Sequence, residues 1–133
     1  MSNERELFNA AIKVQKNAYA PYSNFLVGAA LRSSSGKIYT GCNVENIAYP
    51  EGTCAEAGAI ASMIAGGDRE IKELTVVADS SKPVAPCGGC RQKISEFGSS
   101  SIVISLATTS GDIISTSLGE LLPGAFDQSF MKL

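Results

Sequence analysis

The 133-residue sequence contains no histidine, and this absence restricts the chemistry that is open to the chain. Histidine is the side chain that most often transfers protons near neutral pH, so a histidine general base is excluded. Histidine is also the commonest metal ligand in proteins, so any metal site must use other donors. The four cysteines are the candidates.

Long apolar runs and clusters of basic residues are absent as well. No run approaches the roughly 20 apolar residues of a membrane span, so no membrane partner is expected. The basic residues are scattered, the net charge is −2 and the pI is 5.1, which favours a small neutral molecule over a nucleic-acid polymer as partner. Residues 1–6 carry charges of both signs and do not resemble a signal peptide, so we expect a cytoplasmic protein.

The length of the chain and the order of its apolar patterns predict one layered α/β domain over residues 1–133. Some segments repeat apolar residues at helical spacing, and others form short buried runs between glycine and proline. The predicted helices cover residues 4–19, 54–64, 87–97 and 117–122. The predicted strands cover residues 25–32, 38–43, 74–78, 102–106 and 112–116, the first two as a hairpin.

Two short cysteine motifs carry most of the chemical information. Cys54 and Glu56 lie in a Cys-Ala-Glu run, and Cys87 and Cys90 lie in a Pro-Cys-x-x-Cys run. Each motif falls at the predicted start of a helix, so we expect two helix N-termini to point at one place and to keep the thiols deprotonated. Three thiolates would hold zinc and leave a fourth position open for water, on which Glu56 would move protons.

Two other interpretations of the cysteines compete with this one. Cys42 could complete a closed, structural zinc site, which would leave Glu56 without a role. Cys87 and Cys90 alone could form a redox pair, which would leave Cys54 without one. We favour the open catalytic site because both motifs occur in one short chain, and we expect Cys42 to be a small buried strand residue.

Five runs along the chain resemble those of cytidine deaminases of the homotetrameric, three-cysteine zinc type. The runs extend from the first predicted helix nearly to the last residue and are Tyr19-Ala20-Pro21-Tyr22-Ser23-Asn24-Phe25, Gly41-Cys42-Asn43-Val44-Glu45-Asn46, Cys54-Ala55-Glu56, Pro86-Cys87-Gly88-Gly89-Cys90-Arg91-Gln92 and Leu121-Leu122-Pro123-Gly124-Ala125-Phe126. The resemblance implies a three-layer α/β/α fold with a mixed sheet of roughly five strands. It also implies one zinc ion per chain, held by Cys54, Cys87 and Cys90.

The activity that the resemblance implies is hydrolytic deamination of cytidine to uridine and of deoxycytidine to deoxyuridine, a step of pyrimidine salvage. Zinc would activate the attacking water near neutral pH. Glu56 would take a proton from that water, deliver it to N3 of the pyrimidine and then protonate the amino group, which leaves as ammonia.

The resemblance also implies which residues contact the substrate. Asn43 and Glu45 would bind the ribose hydroxyls at the end of the second strand. The backbone of Ala55 would read the base, and Phe25 would pack beside it.

Further residues would act across subunits or around the metal. Tyr49 and Phe126 would reach a neighbouring subunit's site, because this family builds its pockets at the interfaces of a homotetramer. Arg91 and Gln92 would belong to the surroundings of the metal. Ala57 stands where many family members carry an arginine, and we expect Arg91 to replace the charge that this arginine would supply to the thiolates.

Three other functions compete with the nucleoside deaminase. A deaminase acting on a cytosine-bearing antibiotic of the blasticidin type shares the cysteine motifs, but the tail at residues 121–126 and the Asn43 and Glu45 pair favour nucleosides. A polynucleotide-editing deaminase would need a basic channel, which the acidic pI argues against. A structural zinc module would leave Glu56 without a function.

Overall fold

A computed structural model describes residues 2–131 of the chain. Its helices are α1 (Ser2–Gln15), α2 (Ala55–Ala65), α3 (Gly88–Phe97) and the single-turn α4 (Leu118–Leu121). Its strands are β1 (Val27–Ser33), β2 (Ile38–Cys42), β3 (Ile71–Ala78), β4 (Gly98–Thr108) and β5 (Ile113–Ser117). The single-domain prediction also covers residues 1, 132 and 133, which lie outside the described residues.

The five strands form one mixed sheet in the order β2-β1-β3-β4-β5. β1 and β2 form the predicted antiparallel hairpin, and β1 also pairs antiparallel with β3. β3 pairs with β4 in parallel, and β4 pairs antiparallel with β5. In the central strand, Leu74 lies opposite Leu31 of β1 and Ile104 of β4. The mixed five-stranded sheet is therefore confirmed.

Helices cover both faces of the sheet, because successive side chains of a strand point to opposite faces. On one face, Val77 of β3 packs in a cluster with Leu7 of α1. On the other face, Leu74 of β3 packs in a cluster with Met63 of α2 and Ile94 of α3. This arrangement confirms the three-layer α/β/α architecture. Across residues 2–131, no helix combines the length and apolar character needed to cross a bilayer.

The first helix ends at Gln15 and not near residue 19, because the chain changes hydrogen-bond partners there. The N–H group of Asn17 donates to the carbonyl of Val14 at 2.9 Å in a turn. Two residues later, the N–H group of Tyr19 donates to the carbonyl of Asn43 at 3.0 Å. The segment after α1 is thereby attached to the chain that leaves β2.

Two strands begin earlier than predicted, because the apolar pattern does not mark the largely polar residues at their starts. β3 begins at Ile71, and its next residue, Lys72, is exposed. β4 begins at Gly98 and includes the exposed residues 99–101. Ile71 lies opposite Gly98, so the backbones of β3 and β4 also pair outside the apolar runs from which the strands were predicted. β1 begins at Val27 and not at residue 25, because the preceding residues belong to a loop.

Gly41 of β2 lets α2 lie directly against the sheet. A Cβ atom at this position would lie 2.3 Å from the backbone nitrogen of Ala59 and 2.5 Å from the backbone oxygen of Ala55. Both atoms belong to the helix backbone, so neither can move without displacing α2. The position of the helix that carries Glu56 therefore requires a residue without a side chain, glycine, at position 41.

Gly41→Ala is expected to lower the free energy of unfolding by about 3 kcal/mol, because the added methyl group overlaps the backbone of α2. Urea denaturation followed by circular dichroism measures the change. Gly89→Ala is the matched control, since its Cβ would meet only the Nζ atom of Lys93 at 3.8 Å. That control should be neutral or gain up to about 1 kcal/mol from helix propensity. Equal stability of Gly41→Ala and the wild type would contradict the close docking of α2.

Candidate functional site

The three motif cysteines are brought together by the first turns of two helices. Cys54 immediately precedes α2 and Cys87 immediately precedes α3, and both have extended backbone at the helix N-cap. Cys90 lies three residues further along α3, on the same side of that helix as Cys87. An antiparallel bridge between Val44 and Thr53 fixes the chain that enters α2.

The Sγ atoms of Cys54, Cys87 and Cys90 all lie within 4.8 Å of one another, and those of Cys54 and Cys87 are 3.9 Å apart. Zinc–sulfur bonds of about 2.3 Å in tetrahedral geometry hold the ligand sulfurs about 3.8 Å apart. Sulfur is a donor that zinc prefers, so both the chemistry and the spacing of this cluster fit a zinc ion. Cys42 lies in β2, is half-buried instead of buried, and does not belong to the cluster.

Burial controls the protonation of the thiols. It raises the pKa of Cys54 and of Cys90, which is fully buried. The pKa of Cys87 is lowered, because the backbone N–H of Cys90 donates to its sulfur. Burial thus opposes the expected effect of the two helix N-termini at Cys54 and Cys90, and that expectation stays a prediction for the metal-bound site. A coordinated cation does ionise such thiols, so the donor set suits a metal ion.

Glu56 lies in the first turn of α2 and is only 4% exposed. Burial raises the pKa of its carboxyl group above the usual value, and the nearby charge of Lys93 acts weakly in the opposite direction. Hydrogen bonds from its own backbone N–H and from the Cys90 thiol also favour the ionised form, but burial outweighs them. A buried carboxyl group two residues from a metal-binding cysteine is well suited to accept and release a proton.

A cavity of about 430 Å³ joins the cysteines to the predicted substrate residues. Cys54, Glu56 and Cys87 line it, and Cys90 is buried behind the first turn of α3. The predicted substrate residues that also line the cavity are Phe25, Asn43, Glu45, Tyr49 and Ala55. Its volume is in the range of small-molecule sites.

Asn43 and Glu45 lie just beyond the end of β2, and their side chains are bonded to the first residue of β1 and to the loop that precedes it. The Asn43 Oδ1 atom accepts a hydrogen bond from the N–H of Val27 at 2.9 Å, and its Nδ2 atom donates to the carbonyl of Phe25 at 2.8 Å. The carboxylate of Glu45 accepts hydrogen bonds from residues 22 and 23. The two predicted sugar contacts thus share one supporting loop.

Phe126 does not line this cavity within the same chain. It lies in the tail after α4, stacks on Phe130 with ring centroids 5.7 Å apart, and is 62% exposed. Its carbonyl accepts a hydrogen bond from the Nε2 atom of Gln92 at 3.0 Å. Tyr49 lines the cavity but is 72% exposed. Both aromatic rings therefore present large apolar surfaces to the outside of the chain.

The side chain of Arg91 donates hydrogen bonds to two backbone carbonyls, one before α3 and one in α4. Its Nε atom donates to the carbonyl of Pro86 at 2.8 Å, and its Nη1 atom donates to the carbonyl of Leu121 at 2.9 Å. These bonds connect the residue before Cys87 to α4. Arg91 thus positions the loop that carries a metal-site cysteine, and both of these bonds go to carbonyl groups and not to sulfur.

Several residues that line the cavity were not predicted. Ser23 belongs to one of the runs that carry the family resemblance, but its hydrogen bonds to Glu45 depend on how the loop folds. Val84 and Ala85 supply apolar surface beside Pro86. No periodic pattern marks this segment, because it is a loop, and its contribution could not be read from the sequence.

Comparison with known proteins identifies relatives over most of the chain. Residues 1–106 match the model of the family described as cytidine and deoxycytidylate deaminase zinc-binding region. The chain is 49% identical over 116 residues to the cytidine deaminase of Sporosarcina psychrophila, covering 87% of this chain and 85% of that protein. It is 42% identical over 126 residues to the cytidine deaminase of Halalkalibacterium halodurans, covering 95% of this chain and 96% of that protein.

A solved structure and a more distant relative extend the comparison. The crystal structure of cytidine deaminase from Burkholderia pseudomallei matches with a TM-score of 0.88 at 45% identity, covering 92% of this chain and 98% of that one. Blasticidin-S deaminase of Bacillus cereus is 31% identical over 105 residues, covering 73% of this chain and 74% of that protein.

Replacing single cysteines distinguishes the open three-sulfur site from a closed one. Cys54→Ser, Cys87→Ser and Cys90→Ser are each expected to lose bound zinc on dialysis against a chelator, because each removes one of three clustered sulfurs. Cys42→Ala is the matched control and should keep one zinc ion per chain. Atomic absorption on the dialysed proteins measures the metal. Loss of zinc from Cys42→Ala would instead indicate the closed four-cysteine site.

Proposed function

Because this chain belongs to the cytidine and deoxycytidylate deaminase family, we propose that it is a zinc-dependent cytidine deaminase of pyrimidine salvage. It hydrolyses cytidine to uridine and deoxycytidine to deoxyuridine, with release of ammonia. The observation that carries this conclusion is the buried carboxyl group of Glu56 beside three clustered cysteine sulfurs, on the wall of a cavity of nucleoside size. A structural zinc module would have no need of such a carboxyl group.

Cys54, Cys87 and Cys90 would hold the zinc ion. When bound, zinc supplies Lewis-acid activation of the attacking water. Two helix N-termini and the Arg91 guanidinium bring positive charge to a site that three thiolates make negative. In our proposal Arg91 and Gln92 also fix the loop and the tail around α3, through their bonds to carbonyl oxygens.

Glu56 is the proton carrier in the proposed reaction. It takes a proton from the water that attacks C4 of the pyrimidine and delivers it to N3. It then transfers the second proton of that water to the amino group on C4, so that ammonia leaves and a carbonyl group remains. The raised pKa of this buried carboxyl supports the role, because a proton carrier must hold its proton between the two transfers.

The remaining cavity residues would orient the nucleoside. Asn43 and Glu45 are the polar side chains at the proposed sugar position, Ala55 offers its backbone to the base, and Phe25 offers an apolar face. None of the described residues that line the cavity is lysine or arginine, which suits an uncharged nucleoside better than a phosphate-bearing polymer.

We further propose a cytoplasmic homotetramer in which Tyr49 and Phe126 enter a neighbouring subunit's site. The exposure of both rings supports this assembly, because large apolar surfaces left outside a chain commonly mark an interface. The free cysteines support a reducing compartment, since zinc-binding thiols must stay reduced. The second candidate function is a blasticidin-type deaminase, which the similarity to the Bacillus cereus protein favours.

Glu56→Gln tests the proposed chemistry, because glutamine keeps the shape of the side chain but cannot carry the proton. We expect kcat for cytidine to fall roughly a hundred- to ten-thousand-fold while zinc content is unchanged. The loss of ultraviolet absorbance as cytidine becomes uridine measures the rate, with blasticidin S assayed in parallel. Full activity of the variant would refute the role of Glu56. Turnover of blasticidin S without turnover of cytidine would favour the second candidate.

Subunit complementation tests the shared sites. Light scattering should give a mass of about four times the 13.8 kDa of the chain. Phe126→Ala is expected to lower activity, and co-assembly with Glu56→Gln subunits should restore part of it, because the intact Phe126 then comes from the neighbour. Mixing with Phe126→Ala, Glu56→Gln double-variant subunits is the matched control and should restore nothing. A monomeric mass, or mixed tetramers without restored activity, would contradict the proposal.

A further inference from the structure

The hydroxyl group of Ser23 connects a predicted sugar contact to the loop that carries Phe25. Its Oγ atom donates a hydrogen bond to the Oε2 atom of Glu45 and accepts one from the N–H of Phe25 at 3.0 Å. A serine hydroxyl has a single donor, and here that donor is directed at the carboxylate. Ser23 is exposed and lines the cavity, so its hydroxyl could bond to water and does not need these two partners to avoid being buried without one.

The carboxylate of Glu45 is almost saturated by hydrogen bonds from the same loop. Its Oε1 atom accepts from the N–H of Tyr22 at 2.9 Å and from the N–H of Ser23 at 3.1 Å. Its Oε2 atom accepts from the Ser23 hydroxyl. A carboxylate has about four acceptor positions, so three bonds leave about one position, on Oε2, for a ligand. The Ser23 hydroxyl is also the main reason that the pKa of Glu45 is lowered.

The loop that holds Glu45 is itself fixed. The N–H of Glu45 donates to the carbonyl of Tyr19 at 2.8 Å, and the N–H of Asn24 donates to the carbonyl of Ala20 at 2.9 Å. Asn24 has a φ angle of 58°, a left-handed conformation that asparagine tolerates better than most residues. The chain therefore turns back at Asn24 and presents the hydroxyl of Ser23 to the carboxylate from a defined position.

We propose that Ser23 is a positioning residue for sugar recognition: its hydroxyl orients Glu45 so that the remaining acceptor position of the carboxylate meets a ribose hydroxyl. This inference rests on the proposed deaminase function. Without the Ser23 hydroxyl, the Oε2 atom loses its only described partner, and the carboxylate is then held through Oε1 alone. The consequence is confined to substrates whose sugar donates a hydrogen bond from its 2′- or 3′-hydroxyl.

Ser23→Ala, assayed with two ligands, tests this inference. One ligand is cytidine, for which kcat and KM are measured. The other is 2′,3′-dideoxycytidine, which lacks the 2′- and 3′-hydroxyls but keeps the 5′-hydroxyl, and its inhibition constant as a competitor of cytidine is measured. We expect kcat/KM for cytidine to fall about tenfold, mostly through KM, because a hydrogen bond to a charged group is lost. The inhibition constant for dideoxycytidine, the zinc content and the melting temperature should stay unchanged.

Two further variants serve as controls. Ser23→Thr keeps a hydroxyl at an exposed position and should restore most of the cytidine affinity. Ser99→Ala removes an exposed hydroxyl that does not line the cavity and bonds to that of Ser101 at 2.9 Å, and this variant should leave the binding of both ligands unaffected.

Equal losses for cytidine and dideoxycytidine would overturn the inference, because they would assign Ser23 a general role in the shape of the cavity. Unchanged cytidine kinetics in Ser23→Ala, or a Thr variant as weak as the Ala variant, would overturn it too. A zinc-loaded wild type that does not deaminate cytidine would instead refute the proposed function, and the inference with it. The assay of the wild type therefore distinguishes a failure of the Ser23 inference from a failure of the proposed deaminase function.

Discussion

The contact between α2 and β2 is the constraint on which the candidate site depends. Gly41 in the strand faces Gly58 in the helix, where an added Cβ would lie 3.3 Å from the Cα atom of Gly41, so two backbones approach with almost no side chain between them. This contact places the first turn of α2, and with it Cys54 and Glu56, at a fixed position over the sheet. Hydrogen bonds, chiefly those of Arg91, then tie the start of α3 to its surroundings.

Metal binding and folding are coupled through the ionisable side chains that become buried at this site. Glu56 and Cys90 are buried, and burial disfavours the ionised form of both side chains. A divalent cation reverses that preference for a coordinating thiol, and its binding energy adds to the stability of the folded state. Without metal, burial therefore keeps the Cys90 thiol protonated at the point where the two site helices meet, and a coordinated divalent cation would release that proton.

The sequence allowed the order of elements and the cysteine cluster to be predicted, because both depend on local patterns. The hairpin, the three-layer arrangement and the Cys54, Cys87 and Cys90 cluster follow from apolar spacing, motif spacing and family resemblance. The end of α1 and the start of β3 were not predicted correctly. Both are set by backbone hydrogen bonds to residues far along the chain, and such bonds leave no apolar pattern in the sequence. The raised pKa values of Cys54 and Cys90 could not be predicted from the sequence, because they depend on the depth of burial.

The bonds of Ser23 to Glu45 belong to the same class of features that the sequence does not reveal. They join residues 22 positions apart, and they require the left-handed turn at Asn24 to bring the hydroxyl to the carboxylate. Neither condition leaves a periodic or compositional signal. A residue of this kind is found only when the partners of each polar group in the folded chain are counted.

The two carboxyl groups on the cavity wall differ in environment, and this difference separates their proposed roles. Glu56 is buried, and burial raises its pKa. Glu45 is half-buried and accepts three hydrogen bonds, and these lower its pKa. Two identical functional groups on one wall are thus driven towards opposite protonation behaviour, so one is suited to carry a proton and the other to remain an ionised acceptor. A deaminase needs both properties, because it must hold a neutral sugar in place while protons move at the base.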